Sequence, residues 1–154
     1  MAREVMDGID LDPFSSSAAN ERIGATRFFD KRADALHQRW FNEPGTVFMN
    51  PPYGRRVVDE AVEAFLGYWV AGMIDQGIVL VNNATETRWF QALLNEARSV
   101  CLTNHRIAFE TDDGKHLSGN SRGQAFLYFG EQENRFHDVF NAIGVVLAIL
   151  HRAE

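Results

Sequence analysis

Thr46-Val47-Phe48-Met49-Asn50-Pro51-Pro52-Tyr53-Gly54 is an apolar, β-rich run that stops dead at Asn-Pro-Pro-Tyr. Proline has no N–H to give a sheet ladder, so the strand must end at Asn50. Two fixed φ angles then make the turn rigid. The turn displays an amide side chain, carbonyls freed from pairing and an aromatic ring. All of them sit at a strand's C-terminal edge, where open α/β sheets bind ligands.

Outward from this corner, strands and helices alternate. Val58, Val62, Phe65, Leu66, Trp69, Val70 and Met73 recur at helical spacing after it. Gly77-Ile78-Val79-Leu80-Val81 reads as a buried strand closed by Asn82-Asn83, and Thr85 can cap a helix over Glu86 to Ala97. Ser99 to Leu102 and Gln124 to Phe129 are further strands, Ile107-Ala108-Phe109 can extend the pairing, and the polar stretch from Thr111 to Arg122 reads as a loop. Upstream, Gly8 to Pro13 is a short strand. Ser15, Ser16 and Ser17 offer caps for a helix ending at Gly24, Ala25 to Phe29 is a strand, and a helical turn fits Ala33 to Gln38. Alternation of this kind predicts a single α/β domain over residues 1–154, a doubly wound, mostly parallel sheet.

The C-terminal end reads as one long helix over 133–152. Phe136, Val139, Phe140, Ile143, Val146, Leu147 and Leu150 form its stripe, and Val145, Ala148 and Ile149 widen the stripe almost all round. A helix apolar on nearly every side is buried on nearly every side. A small sheet covers only one of its faces, which predicts a homodimer contact through this helix.

Bulk properties bound the function. The net charge of −6 argues against sequence-blind coating of a phosphate backbone but allows a local basic patch. The single cysteine, Cys101, lies between Val100 and Leu102 and reads as a buried thiol in a reducing compartment. No run approaches the ~20 apolar residues of a membrane span, and the first residues carry no leader pattern, so a cytoplasmic location is expected. His37, His105, His116, His137 and His151 show no metal spacing, so no metal is expected.

The corner suits an exocyclic aromatic amine. Its two hydrogens can be accepted by the Asn50 side-chain oxygen and a proline carbonyl, that of Pro51. The nitrogen lone pair is thereby drawn out of conjugation and toward an electrophile. Tyr53 can stack on a flat base, and the prolines hold the geometry in advance.

The segment resembles the catalytic motif of amino-group methyltransferases that use S-adenosylmethionine. More narrowly, the chain resembles the phage-type, Dam-like DNA adenine-N6 methyltransferases. The matching pieces are Ile9-Asp10-Leu11-Asp12-Pro13, Ala19-Asn20, Arg27-Phe28-Phe29, Asp34-Ala35-Leu36, Trp40 and Asn50-Pro51-Pro52-Tyr53-Gly54-Arg55, followed by Thr87-Arg88-Trp89-Phe90, Arg106-Ile107-Ala108-Phe109 and Arg122-Gly123-Gln124-Ala125-Phe126. The likeness runs from about Ala2 to Gly130.

The resemblance implies a Rossmann-like methyltransferase fold and S-adenosylmethionine as cofactor. It implies Asn50, Pro51, Pro52 and Tyr53 as catalytic residues, DNA as partner, and Arg55, Arg56 and Arg88 near DNA, with Arg106, Lys115, His116 and Arg122 as further candidates. Asn82, Asn83 and Thr85 can line the base pocket. The cofactor acids can be placed in two ways. In the first, which is favoured, Asp10 grips the ribose hydroxyls and Asp34 reads the adenine amine. In the second, Asp12-Pro13-Phe14-Ser15 opens the cofactor loop and Asp30 is the ribose acid. Either way Asp10 and Asp12 belong to the cofactor end.

Two departures accompany the match. Pro13 to Ser17 has serines where glycines would let a backbone approach the methionine moiety. Relatives carry a Thr-Pro segment upstream of Met1, so the fold is expected to lack its N-terminal part. Two other readings follow: a non-catalytic relic acting in binding or assembly, and a methyltransferase of another planar amine, such as cytosine N4 or an RNA base.

Overall fold

A computed structural model describes residues 1–54, 56–110, 116–117 and 122–151. Its elements are α1 (Ala2–Met6), β1 (Leu11–Asp12), α2 (Ser17–Ile23), β2 (Arg27–Phe28), a 3-10 turn (Ala35–His37), β3 (Gly45–Met49), α3 (Val57–Val70), β4 (Ile74–Asn82), α4 (Arg88–Glu96), β5 (Ser99–Thr103), β6 (Phe109–Glu110), β7 (His116–Leu117), β8 (Gln124–Phe129), α5 (Glu133–Phe140) and β9 (Gly144–Ala148).

Seven strands form one sheet in the order β2-β1-β3-β4-β8-β5-β9, and β6 pairs with β7 apart from it. The β2-β1-β3-β4 side is parallel throughout. Strand β8 enters antiparallel between β4 and β5, and β9 lies antiparallel on β5. Strands β1 to β5 therefore share one direction, and β8 and β9 oppose them.

Burial on both faces explains the continuous apolar runs. Val79 and Val81 of β4 join Val47, Met49, Val62 and Phe65 in one core. Ile78 and Leu80 join Phe48, Val5, Met6, Phe136 and Phe140 in the other. Helices α3 and α4 cover the first face, and α1 and α5 the second. This is the doubly wound arrangement that the alternation predicts.

The local signals explain most element ends. Ser16 caps α2 by accepting from the Ala19 N–H at 3.1 Å, and Gly24 ends it in a left-handed conformation, φ 69°. The cap of α4 is Thr87 rather than Thr85, its hydroxyl accepting from the Phe90 N–H at 3.3 Å. Trp40 stacks on Tyr68 with centroids 5.1 Å apart and fixes the 3-10 segment against α3.

The predicted C-terminal helix is a correction. Helix α5 ends at Phe140, and residues 144–148 form strand β9 on β5 instead. A Cβ at position 144 would run into the Leu102 carbonyl oxygen, so glycine alone lets the two backbones pair there. The β-branched Val145 and Val146 then favour a strand. The residues that looked apolar all round a helix divide between the two faces of an edge strand. Val146 packs inward, while Val145 and Leu147 are exposed. The homodimer contact expected from that helix loses its basis with the helix.

Candidate active site

Asn50 follows β3 directly, and the turn it opens runs to the N-terminus of α3. Phe48 belongs to the α1/α5 core, so strand alternation puts Asn50 on that same face. Pro51 is buried beneath the turn. The Asn50 Oδ1 is a buried acceptor with no partner, the sole such side-chain atom among the described residues. A buried polar atom left unpaired costs about 1–3 kcal/mol, and such an atom calls for an explanation.

Tyr53 is 43% exposed as a residue, with its hydroxyl on the side of the Asn82 backbone. Burial raises its pKa well above the ordinary phenol value, against the opposing effect of the Asn82 contact. Tyr53 is thus a neutral ring at the corner. Arg56 follows at φ 71°, a left-handed conformation that a non-glycine residue adopts at a cost of about 1–3 kcal/mol.

Two loops converge on the same edge from the other side. Asp12 ends β1 at 2% exposure, and its Oδ1 accepts from the Phe14 N–H at 3.2 Å. Burial pushes its pKa from 3.8 up to about 6, partly offset by hydrogen bonds from the Phe14 N–H and the Ser15 side chain. Asp30 follows β2 and accepts from the Arg32 and Ala33 N–H groups at 3.0 and 2.9 Å. The Ser15 N–H donates to the Phe29 carbonyl at 2.9 Å and stitches the two loops together. Strand β1 lies directly beside β3, Leu11 opposite Val47, with no strand between.

Asp10 stands at the other end of β1, and Asp34 lies beyond Asp30. Asp10 lies at the beginning of β1, and its Oδ2 accepts from the Thr46 N–H at 2.8 Å and hydroxyl at 3.2 Å. Asp34 is exposed before the 3-10 turn, its Oδ2 2.8 Å from His37 Nδ1.

The arginines share one rim. Arg56 follows β3, Arg88 opens α4 after β4, Arg106 follows β5, and Arg122 precedes the antiparallel β8; all four are exposed. Arg55, Lys115 and most of the predicted 111–122 loop lie outside the described residues. Among the described residues no three His, Cys, Asp or Glu gather as a metal site, and no helix is long and apolar enough to cross a membrane.

Gln124 is a residue to which the sequence reading gave no role. It begins β8 at 1% exposure, and its Oε1 accepts the Ile107 N–H at 2.9 Å. A polar residue opening an otherwise apolar strand was the available signal. Beside it, the Asn83 side chain lies over Gly123, 2.7 Å from where a Cβ would sit.

Fold and corner together define a doubly wound α/β protein with a rigid Asn-Pro-Pro-Tyr turn, holding a buried unpartnered acceptor, at a strand's C-terminal edge. The chain belongs to the DNA N-6-adenine-methyltransferase (Dam) family, whose family model matches residues 4–143. No curated protein matches the chain. Among solved structures it is similar to that of SMU.472, "a putative methyltransferase complexed with SAH", at 13% identity and a TM-score of 0.38. That match covers 79% of this chain and 32% of the other, so the chain spans about a third of that protein's length.

Proposed function

We propose that the protein transfers a methyl group from S-adenosylmethionine to the exocyclic N6 amine of adenine in DNA. The observation that carries this reading is the Asn50 Oδ1, a buried acceptor without a partner in a rigid strand-end turn. An amine hydrogen is the donor it lacks. The Pro51 carbonyl accepts the second hydrogen, and Tyr53 stacks on the base. Together these acceptors stabilise the positive charge that develops on nitrogen, so no strong base need act first. Tyr53, held protonated by burial, is a stacking group rather than a base.

S-adenosylmethionine, when bound, supplies an electrophilic methyl group. The loop Asp12-Pro13-Phe14-Ser15 and the acid Asp30 form the better candidate end for it. They follow neighbouring strands at one edge and are tied together through Ser15 and Phe29. Their position supports the second placement of the cofactor acids over the first. Asp10 is engaged by Thr46 and Asp34 by His37.

The arginine rim supports DNA as the partner, in the cytoplasm where such DNA lies. A duplex would have to yield its adenine by base flipping, because the amine is not accessible to in-line attack within the stack. The test is incubation of the protein with S-adenosylmethionine and DNA, followed by nucleoside mass spectrometry. N6-methyladenine is the expected product. N4-methylcytosine would move the reading to another amine, and no product together with no cofactor binding at millimolar concentration would favour the non-catalytic relic.

A further inference from the structure

Asn82 ends β4, the strand beside the one that carries Asn50, and is 8% exposed. Its Oδ1 accepts from Gln124 Nε2 at 3.5 Å. The Gln124 amide cannot be reversed, because its Oε1 accepts the Ile107 N–H at 2.9 Å and its Nε2 donates to the Arg122 carbonyl at 2.8 Å. The Asn82 amide thus turns its oxygen toward Gln124, at the long end of hydrogen-bond range, and its Nδ2 has no partner among the described residues.

The side chains share a face. Asn82 lies opposite Gln124 in the β4–β8 register. Phe48, Leu80 and Phe126, each two residues from Asn50, Asn82 and Gln124, belong to one core. Alternation thus puts all three amides on that side of the sheet. The corner presents an unpartnered acceptor, Asn50 Oδ1, and an unpartnered donor, Asn82 Nδ2.

We propose that Asn82 is a specificity-determining residue whose Nδ2 donates to a ring nitrogen next to the target amine. Gln124 is the positioning residue that sets which end of the Asn82 amide faces the base. An acceptor and a donor on one face, at the ends of neighbouring strands, match the edge of adenine, where the amine stands between N1 and N7. A base with an N–H next to its amine meets Asn82 donor to donor and is rejected. This inference rests on the methyl-transfer reading.

The test uses duplexes bearing the site that the wild type methylates, with its adenine replaced by 1-deazaadenine or 7-deazaadenine. Asn82→Asp keeps an acceptor for Gln124 and removes the donor; Asn82→Ala is the second variant, and thermal melting checks the fold of both. The wild type is expected to lose about tenfold in kcat/KM on one analogue, mainly in KM, as the loss of one neutral hydrogen bond implies. Both variants are expected to methylate adenine about tenfold less efficiently and no longer to distinguish it from that analogue. Discrimination unchanged in the variants, or none in the wild type, overturns the role of Asn82 and leaves methyl transfer standing. A wild type that methylates no DNA overturns both.

Discussion

The Asp10 carboxylate and Thr46 are locked together by reciprocal hydrogen bonds. Asp10 Oδ2 accepts from the Thr46 N–H at 2.8 Å and hydroxyl at 3.2 Å, and the Asp10 N–H donates back to Thr46 Oγ1 at 3.0 Å. The lock joins the beginnings of two parallel strands, far along the chain from each other. Asp10→Ala is expected to lower stability by about 1 kcal/mol and to leave S-adenosylmethionine affinity unchanged. Urea unfolding and calorimetry on the same variant check both halves. A large loss of cofactor affinity with an intact fold would return Asp10 to the ribose site.

Asp12 makes a pH prediction. Its carboxyl takes up a proton near pH 6 in the fold and near 3.8 when unfolded. The folded state thus binds the proton more tightly, so stability falls as pH rises from about 4 to 6. The shift corresponds to a contribution of up to about 3 kcal/mol. Asp12→Asn keeps the acceptor for the Phe14 N–H and removes the titration. Its stability should stay flatter between pH 4 and 6 and exceed that of the wild type at pH 7, as read by denaturant midpoints.

Gly144 governs whether β9 forms. Gly144→Ala places a methyl against the Leu102 carbonyl oxygen. The expected cost is about 1–3 kcal/mol, the range for forced overpacking. Hydrogen exchange should show lost protection concentrated in β9 and its partner β5. Uniform protection in the variant would contradict the assignment.

The arginine rim should act additively on DNA. Arg56→Ala and Arg88→Ala are each expected to weaken binding across all sequences and to lower the salt-dependence slope by about one. Fluorescence anisotropy over a range of salt concentrations measures it.

Much of this was legible because it rested on local chemistry. Asn50-Pro51-Pro52 ended a strand as proline requires, Ser16 and Gly24 bounded a helix, and the apolar run around Leu80 marked a strand buried on both faces. The C-terminus was misread because Phe136 to Phe140 keeps helical spacing up to a turn that no Pro announces, and the decisive contact, Gly144 against Leu102, is long-range. The proposed place of the cofactor acids at the end of β1 likewise draws on a long-range pairing, that of β1 with β3. Gln124 went unassigned because its partners, Ile107, Arg122 and Asn82, come together only in the sheet.

Methyl transfer here depends on the unpartnered Asn50 oxygen accepting an adenine amine. The most direct measurement is methyl transfer from S-adenosylmethionine to DNA by the wild type and by Asn50→Ala, with N6-methyladenine quantified and the fold checked by circular dichroism. The wild type is expected to yield N6-methyladenine, and the folded variant to lose at least about a hundredfold in kcat, the scale of removing one pre-organised electrostatic group. Methylation by Asn50→Ala at the wild-type rate would contradict that dependence.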